Sequence, residues 1–223
     1  MEKQTILDAY QFRHACKEFD SARAIPDADF QFILETGRLS PSSFGFEPWK
    51  FLVIQNRELR DELSPVAWGA QKQLATASHF LIVLTRNKAG LLPDSEPIVS
   101  LMEQIQQLPP DAMQGKVQKY RAFLESDFQL LDNDRAMFEW ASRQSYIAVG
   151  NMMTAAALIG IDSCPIEGFV KHEVEAVLRK AGLLETDRGD DYGVSCMLAF
   201  GYRVREPRAK TRRTADQVVQ WVR

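Results

Sequence analysis

Cysteine and histidine are scarce, three of each in 223 residues. Cys16, Cys164 and Cys196 are odd in number and show no CxxC spacing, so they read as reduced thiols, with neither a zinc site nor a disulfide framework. His14, His79 and His172 lack metal-ligand spacing with one another or with the cysteines, and no metal is expected. His79 opens an apolar run and reads as a core histidine before a catalyst. The twelve glycines are scattered and form no GxGxxG, no Walker loop and no GxSxG. The usual dinucleotide, nucleotide and hydrolase signatures are therefore missing. The longest apolar stretch, residues 147–161, is broken by Gly150, Asn151 and Thr154 and is too short to span a bilayer. The opening MEKQTILDAYQF has neither the apolar core nor the cleavage site of a signal peptide. A net charge of −3 predicts no general attraction to nucleic acid or an anionic membrane and leaves only local basic patches. A soluble cytoplasmic protein is the expectation.

What is present is globular: 45% hydrophobic and 26% charged residues, with no repeat and no low-complexity linker. Residues 1–223 are expected to form one domain, or one protomer of an intertwined dimer. The pattern predicts a helix over residues 5–13 and a second after Pro26, with Asp27 and Asp29 in its first turn, ending near Gly37. Residues 39–49 carry Pro41, Ser42, Ser43, Gly45 and Pro48 and read as a loop. Residues 50–55 and 79–86 are short branched apolar runs, expected as buried strands, with helices at 57–63 and 69–76 between them. The region 93–132 is expected to be mostly surface, with helical patches such as 117–125.

Asn133 or Asp134 caps a long helix running to about Ile159, with Gly160 as its stop. Its second half is apolar on nearly every face and must be enclosed on all sides, which a partner subunit does more easily than one chain. A helix at 171–181, a central strand at 194–202 and a terminal strand at 218–222 complete an α+β reading.

Four local patterns remain for chemistry. In Arg13-His14-Ala15-Cys16-Lys17 the two cations are four apart and can face one anion, a planar fork beside a mobile charge; the alternative is a solvated helix end. Pro41-Ser42-Ser43-Phe44-Gly45-Phe46-Glu47-Pro48-Trp49 is a stiffened loop that either wraps a flat polar ligand or turns a corner before a strand. In Pro165-Ile166-Glu167-Gly168-Phe169, Gly168 permits close backbone approach to a ligand, or the segment is an ordinary turn. Arg203, Arg205, Arg208, Lys210, Arg212 and Arg213 form a solvated basic face, unless Lys210 and Arg212 share one side of an extended segment and complete a phosphate pocket begun by Arg13 and Lys17.

In this order and at these separations, RHxxK, PSSxxxxPW, GN…PIEGF and KxR resemble the nitroreductase family of flavoproteins, closest to its NAD(P)H nitroreductase and dihydropteridine reductase branch. The resemblance runs from about Ile6 to Arg212 and is poorest over 93–132. It implies a nitroreductase-like fold, a central mixed, mainly antiparallel sheet flanked by helices, in an intertwined homodimer with one FMN per site at the subunit interface. It places Arg13, His14 and Lys17 at the FMN phosphate and ribityl chain, joined by Lys210 and Arg212. Pro41, Ser42 and Ser43, from the other subunit, lie along the flavin, and Gln73 and Gln144 are further flavin neighbours. Pro165, Ile166, Glu167 and Gly168 cover the reactive edge, with a backbone donor near flavin N5.

The implied chemistry is a ping-pong transfer of hydride from NADH or NADPH through the flavin to a nitroaromatic, a quinone or a similar small-molecule acceptor. The flavin carries it, and no side chain is assigned as a catalytic acid or base. Reduction of an enal, aldehyde or pteridine on the same fold, and flavin binding without turnover, are the alternatives. Departures from the family pattern include Ala15 and Cys16 for a common Ser or Thr, Gly45 and Glu47 in the NxQPW stretch, and Ala70 for a frequent Asn. Phe44, Phe46 and Ala70 would make the substrate pocket more apolar, and Phe123 and Phe128 are candidates to stand over the flavin.

Overall fold

The computed structural model describes residues 2–184 and 192–223. Its frame is a four-stranded sheet: β1 (Trp49–Val53), β2 (His79–Arg86), β3 (Asp162–Ile166) and β4 (Tyr192–Gly201). The strand order is β1-β2-β4-β3 and every pairing is antiparallel. Among the described residues the sheet expected as mixed thus has no parallel strand pair, and the parallel contact is an isolated bridge between Ala15 and Ser163.

β2 explains the sheet's position. Phe80 to Leu84 are fully buried, because the strand is covered on both faces. The two-residue period sends Phe80, Ile82 and Leu84 to one core, with Leu63, Leu74 and Leu178, and Leu81 and Val83 to another. Each such side chain is worth about 1.5–3 kcal/mol when buried. A bulge opposite Val83 and Leu84 resets the parity of β4, so Val194 and Met197 share the first core while Cys196 and Leu198 share the second.

The helices are α1 (Lys3–Phe12), α2 (Asp27–Arg38), α3 (Arg57–Leu63), α4 (Gln71–Thr76), α5 (Glu96–Ser100), α6 (Pro110–Ala122), α7 (Asp134–Leu158), α8 (Lys171–Lys180) and the single turn α9 (Ala215–Val218). None is long and apolar enough to cross a membrane. The second core lies under α2 and α7, joining Phe30 and Ile33 to Val149, Met152 and Ala156. Asn133 caps α7 by accepting from the Ala136 amide at 3.0 Å. Gly160, at φ +77°, ends it, and the Ile161 amide reaches back to the Ala156 carbonyl at 2.9 Å. α7 is not enclosed on all sides within one chain: Tyr146, Ile147 and Asn151 stay exposed along one face, beside Ile6, Leu7 and Tyr10 of α1.

Residues 93–132 are mostly exposed, as expected, yet α5, α6 and the π-helical turns Leu101–Ile105 and Phe123–Asp127 also enclose a third core. There Ile98, Met102, Tyr120, Leu124 and Leu130 meet Phe46, Met137 and Trp140. This was hidden because α6 buries only Tyr120 and no stretch carries a continuous apolar stripe. Two sequence expectations are corrected. Residues 218–222 form no strand; after α9 the chain is exposed, including Val219, Trp221 and Val222, since a strand needs a neighbour and none lies within reach. Conversely, Pro165 and Ile166 belong to strand β3. Proline, which donates no ladder hydrogen bond, is tolerated there at the sheet's edge.

Candidate functional site

α1 stops at Phe12 and the chain becomes extended, so residues 13–17 run along the outer edge of β3. The Cys16 amide donates to the Ser163 carbonyl at 3.1 Å. The segment after β4 returns to the same place, pinned by Arg203. Its guanidinium meets the buried Asp162 carboxylate at 2.7 Å, donates to the Phe12 carbonyl at 3.1 Å and stacks 4.1 Å from the Phe12 ring. That pin brings Lys210 and Arg212 against the end of α1, where His14, Arg203, Lys210 and Arg212 line a cavity of about 1090 Å³.

The cavity carries unbalanced positive charge. Lys210 Nζ donates to the Arg13 carbonyl, and among the described residues none of Arg13, Lys17, Lys210 or Arg212 is in an ion pair. Burial lowers the Lys210 pKa, and the nearby Arg13 and Arg212 charges lower it further. His14 Nδ1 stands 3.5 Å from Asp162 Oδ1 but makes no hydrogen bond. Burial, then Arg203, hold its pKa below the usual imidazole value. A cluster of cations without a carboxylate partner fits a dianionic group such as a phosphate. The donors do not all converge: the Arg13 guanidinium lies 3.9 Å from Met153 Sδ, and Lys17 Nζ sits 3.6 Å from Cys164 Sγ.

Lys17 belongs instead to a second group. Gln73, buried, also places its amide 3.6 Å from Cys164 Sγ, so two polar heads share one soft acceptor on β3. Just beyond β3 the Glu167–Gly168 turn is held by its neighbours. The Gly69 amide donates to the Gly168 carbonyl at 2.7 Å, and a Cβ built on either glycine would stand 2.9 Å from the other's Cα. Only paired glycines allow this approach. On the other side the Tyr146 hydroxyl donates to the Glu167 carboxylate.

The 41–46 loop is a third group. The Ser43 amide donates to Gln144 Oε1 at 2.9 Å, Ser42 Oγ accepts from the Glu47 amide at 2.9 Å, and Gln106 reaches the Gly45 carbonyl at 2.8 Å. Pro41 is exposed. Phe44 packs on Phe46 and Phe123 at ring separations of 5.5 and 5.4 Å. Phe128, half exposed, lies 4.5 Å from the Phe123 ring. Phe46 and Ala70 are buried in different cores. Among the described residues, no hydrogen bond or ion pair joins this loop to the basic cavity or to the Glu167–Gly168 turn.

Sequence reasoning missed Asp162, Cys164 and Tyr146. Their partners lie 41, 147 and 21 residues away, and no local motif marks such contacts. Tyr146 is one more apolar-looking position on a helix read as interior.

The model of the nitroreductase family matches residues 10–202. A Bacillus subtilis relative, YfkO, named as an NAD(P)H nitroreductase, is 53% identical over 99% of this chain and 98% of its own length. A Staphylococcus epidermidis relative of the same description is 47% identical over 98% of this chain and 97% of its own. Among solved structures, a nitroreductase from Exiguobacterium sibiricum in complex with FMN superposes with a TM-score of 0.75. It covers all of this chain and 98% of its own at 23% identity. Matched along nearly its whole length in sequence and in fold, the chain belongs to the nitroreductase family.

Proposed function

We propose that this protein is an FMN-dependent oxidoreductase that takes a hydride from NADH or NADPH and passes two electrons to a nitroaromatic, a quinone or a similar small acceptor. The observation that carries the reading is the cavity lined by His14, Lys210 and Arg212, with Arg13 beside it. There the carboxylates Glu206 and Asp162 are taken up by Arg203, and Arg13, Lys210 and Arg212 form no ion pair among the described residues. Bound there, FMN supplies the redox chemistry, alternating between the nicotinamide and the acceptor. His14, Lys210 and Arg212, with Arg13, hold the phosphate end. Lys17 and Gln73 exchange their weak contacts with Cys164 for the polar edge of the ring. Pro165, Ile166, Glu167 and Gly168 border the reactive edge, with Gln144 as a further neighbour. Pro41, Ser42 and Ser43 complete the site from the other subunit. Phe44, Phe123 and Phe128 shape the acceptor side, and Phe46 and Ala70 back it from their cores.

The same reading makes the active form a homodimer. Tyr146 and Ile147 of α7 and Ile6, Leu7 and Tyr10 of α1 are exposed apolar side chains, β1 has an unpaired outer edge among the described residues, and Val218, Val219, Trp221 and Val222 are exposed. A second copy covers the helices, and its terminal segment supplies the missing partner for β1.

The test is the absorbance spectrum of the purified protein during anaerobic addition of NADH and then NADPH. Flavin bands that bleach support the reading, and the faster donor names the reductant. A flavin-free spectrum, unchanged by added FMN, overturns it. A panel of nitro, quinone, enal and pteridine acceptors then ranks substrates by kcat/KM.

A further inference from the structure

We infer that Tyr146 is a positioning residue: its hydroxyl holds the Glu167 carboxylate and so fixes the Glu167–Gly168 turn at the reactive edge of the bound flavin. This rests on the reading above, which sets that turn beside FMN. The argument begins with the register of the sheet. Ile166, the last residue of β3, pairs with Met197 of β4, so Glu167 is the first residue to leave the sheet and has no ladder to fix it. Two contacts do so instead. One is the Gly69 amide on the Gly168 carbonyl, at 2.7 Å. The other is Tyr146, reaching from the middle of α7 to the Glu167 carboxylate. The first holds the turn by its backbone and the second by its side chain, from opposite sides.

Neither polar group needs the other merely to avoid being buried unpaired. Tyr146 is 37% exposed and Glu167 is exposed as well, so water could serve both. What the contact adds is orientation. A phenol donating to a carboxylate is a charge-assisted bond, and here it ties the turn to the longest helix of the fold. Burial first, then the neighbouring Cys196 and Glu167, raise the phenol's pKa, so it remains a donor at working pH. Groups that orient residues touching a cofactor commonly govern its properties without touching it.

The chemistry gives the direction of the effect. A fixed backbone N–H beside flavin N5 favours the oxidised ring, which accepts there, over the reduced ring, which carries hydrogen there. Releasing the turn weakens that preference and raises the midpoint potential. Removing one charge-assisted hydrogen bond alters an equilibrium by about tenfold or more. A tenfold change in the ratio of affinities for oxidised and reduced flavin is about 30 mV for two electrons.

The experiment uses the holoenzyme and the substitution Tyr146→Phe. The affinity for oxidised FMN should fall by no more than about tenfold, because the cavity at His14, Lys210 and Arg212 is untouched. The potential should rise by about 30 mV, and kcat should fall about tenfold with KM for the nicotinamide little changed. Glu167→Ala removes the same contact from its other end and should move the potential similarly. Adding Tyr146→Phe to Glu167→Ala should then change nothing further. A wild-type potential and kcat in Tyr146→Phe overturn the inference while leaving the flavoenzyme reading intact. So does an effect of Tyr146→Phe that persists undiminished in the Glu167→Ala background. Wild-type protein that binds no FMN overturns both.

Discussion

At the scale of single residues, the basic cavity and the two perturbed histidines make separable demands. Charge-assisted hydrogen bonds are worth about 1.5–3 kcal/mol each, so the pair Lys17→Ala and Arg212→Ala should weaken FMN by at least a hundredfold, roughly. Protein so changed should purify colourless, and flavin stoichiometry after gel filtration checks it; full occupancy would remove Arg212 from the phosphate anchor and Lys17 from the ring's polar edge. His14 and His79 behave differently. Burial is the main cause holding each below the imidazole value of 6.5, helped by Arg203 for the one and Arg60 for the other. The folded chain therefore resists protons that the unfolded chain accepts. Stability should be level above about pH 7 and fall as pH drops through 6.5. Urea midpoints measured across that range check the sign, and His79→Gln should flatten the slope. A midpoint that rises on acidification through the same range would contradict it.

At the scale of elements, two glycines should fail for different reasons. At Gly168 an added methyl would meet Gly69 Cα at 2.9 Å and the Trp68 ring at 3.0 Å. Backbone cannot give way cheaply, so Gly168→Ala should cost about 1–3 kcal/mol and disturb the turn. At Gly160 nothing stands within 4 Å, but φ is +77°, so Gly160→Ala should cost about 1 kcal/mol through conformation alone. Denaturation midpoints with flavin spectra separate the two: the first should alter both, the second only stability.

The same elements mark how far the sequence could be read. β2 and the cap and stop of α7 were legible, because branched apolar runs and the Asn133 and Gly160 signals act locally. β3 was not, since Pro165 argues against a strand until the edge position is known. The third core was hidden as well. Its members Phe46, Tyr120 and Trp140 come from three distant segments, and no one segment reveals their meeting. For the site, RHxxK and KxR marked the basic residues, but only the Asp162–Arg203 pin explains why they meet. The motif grouped Lys17 with the phosphate cations, whereas the fold turns it toward Cys164 and Gln73.

At the scale of the whole molecule, the open face of α7, the exposed side of α1 and the terminal segment belong to one argument about assembly. Sedimentation should find about twice the chain mass at micromolar concentration. A chain ending after Arg213 should associate at least tenfold more weakly, because one covering strand per protomer is lost. For the full-length protein, thermal stability should rise with protein concentration, since association stabilises the folded protomer by mass action. A concentration-independent monomer would leave those apolar surfaces unexplained.

The unpaired edge of β1 bears on how the protein is made. The outer edge of β3 is covered by its own chain, through residues 13–17. Among the described residues β1 has no such cover: Val53 is 38% exposed, and an apolar groove runs beside Phe51, Leu52 and Leu59. Each newly synthesised chain therefore passes through a stage with an open strand edge and a loose apolar tail of its own, a combination that invites pairing with any extended segment nearby. In the proposed dimer, assembly ends that stage, and its speed sets the time during which misfolded contacts and chaperones compete for the chain.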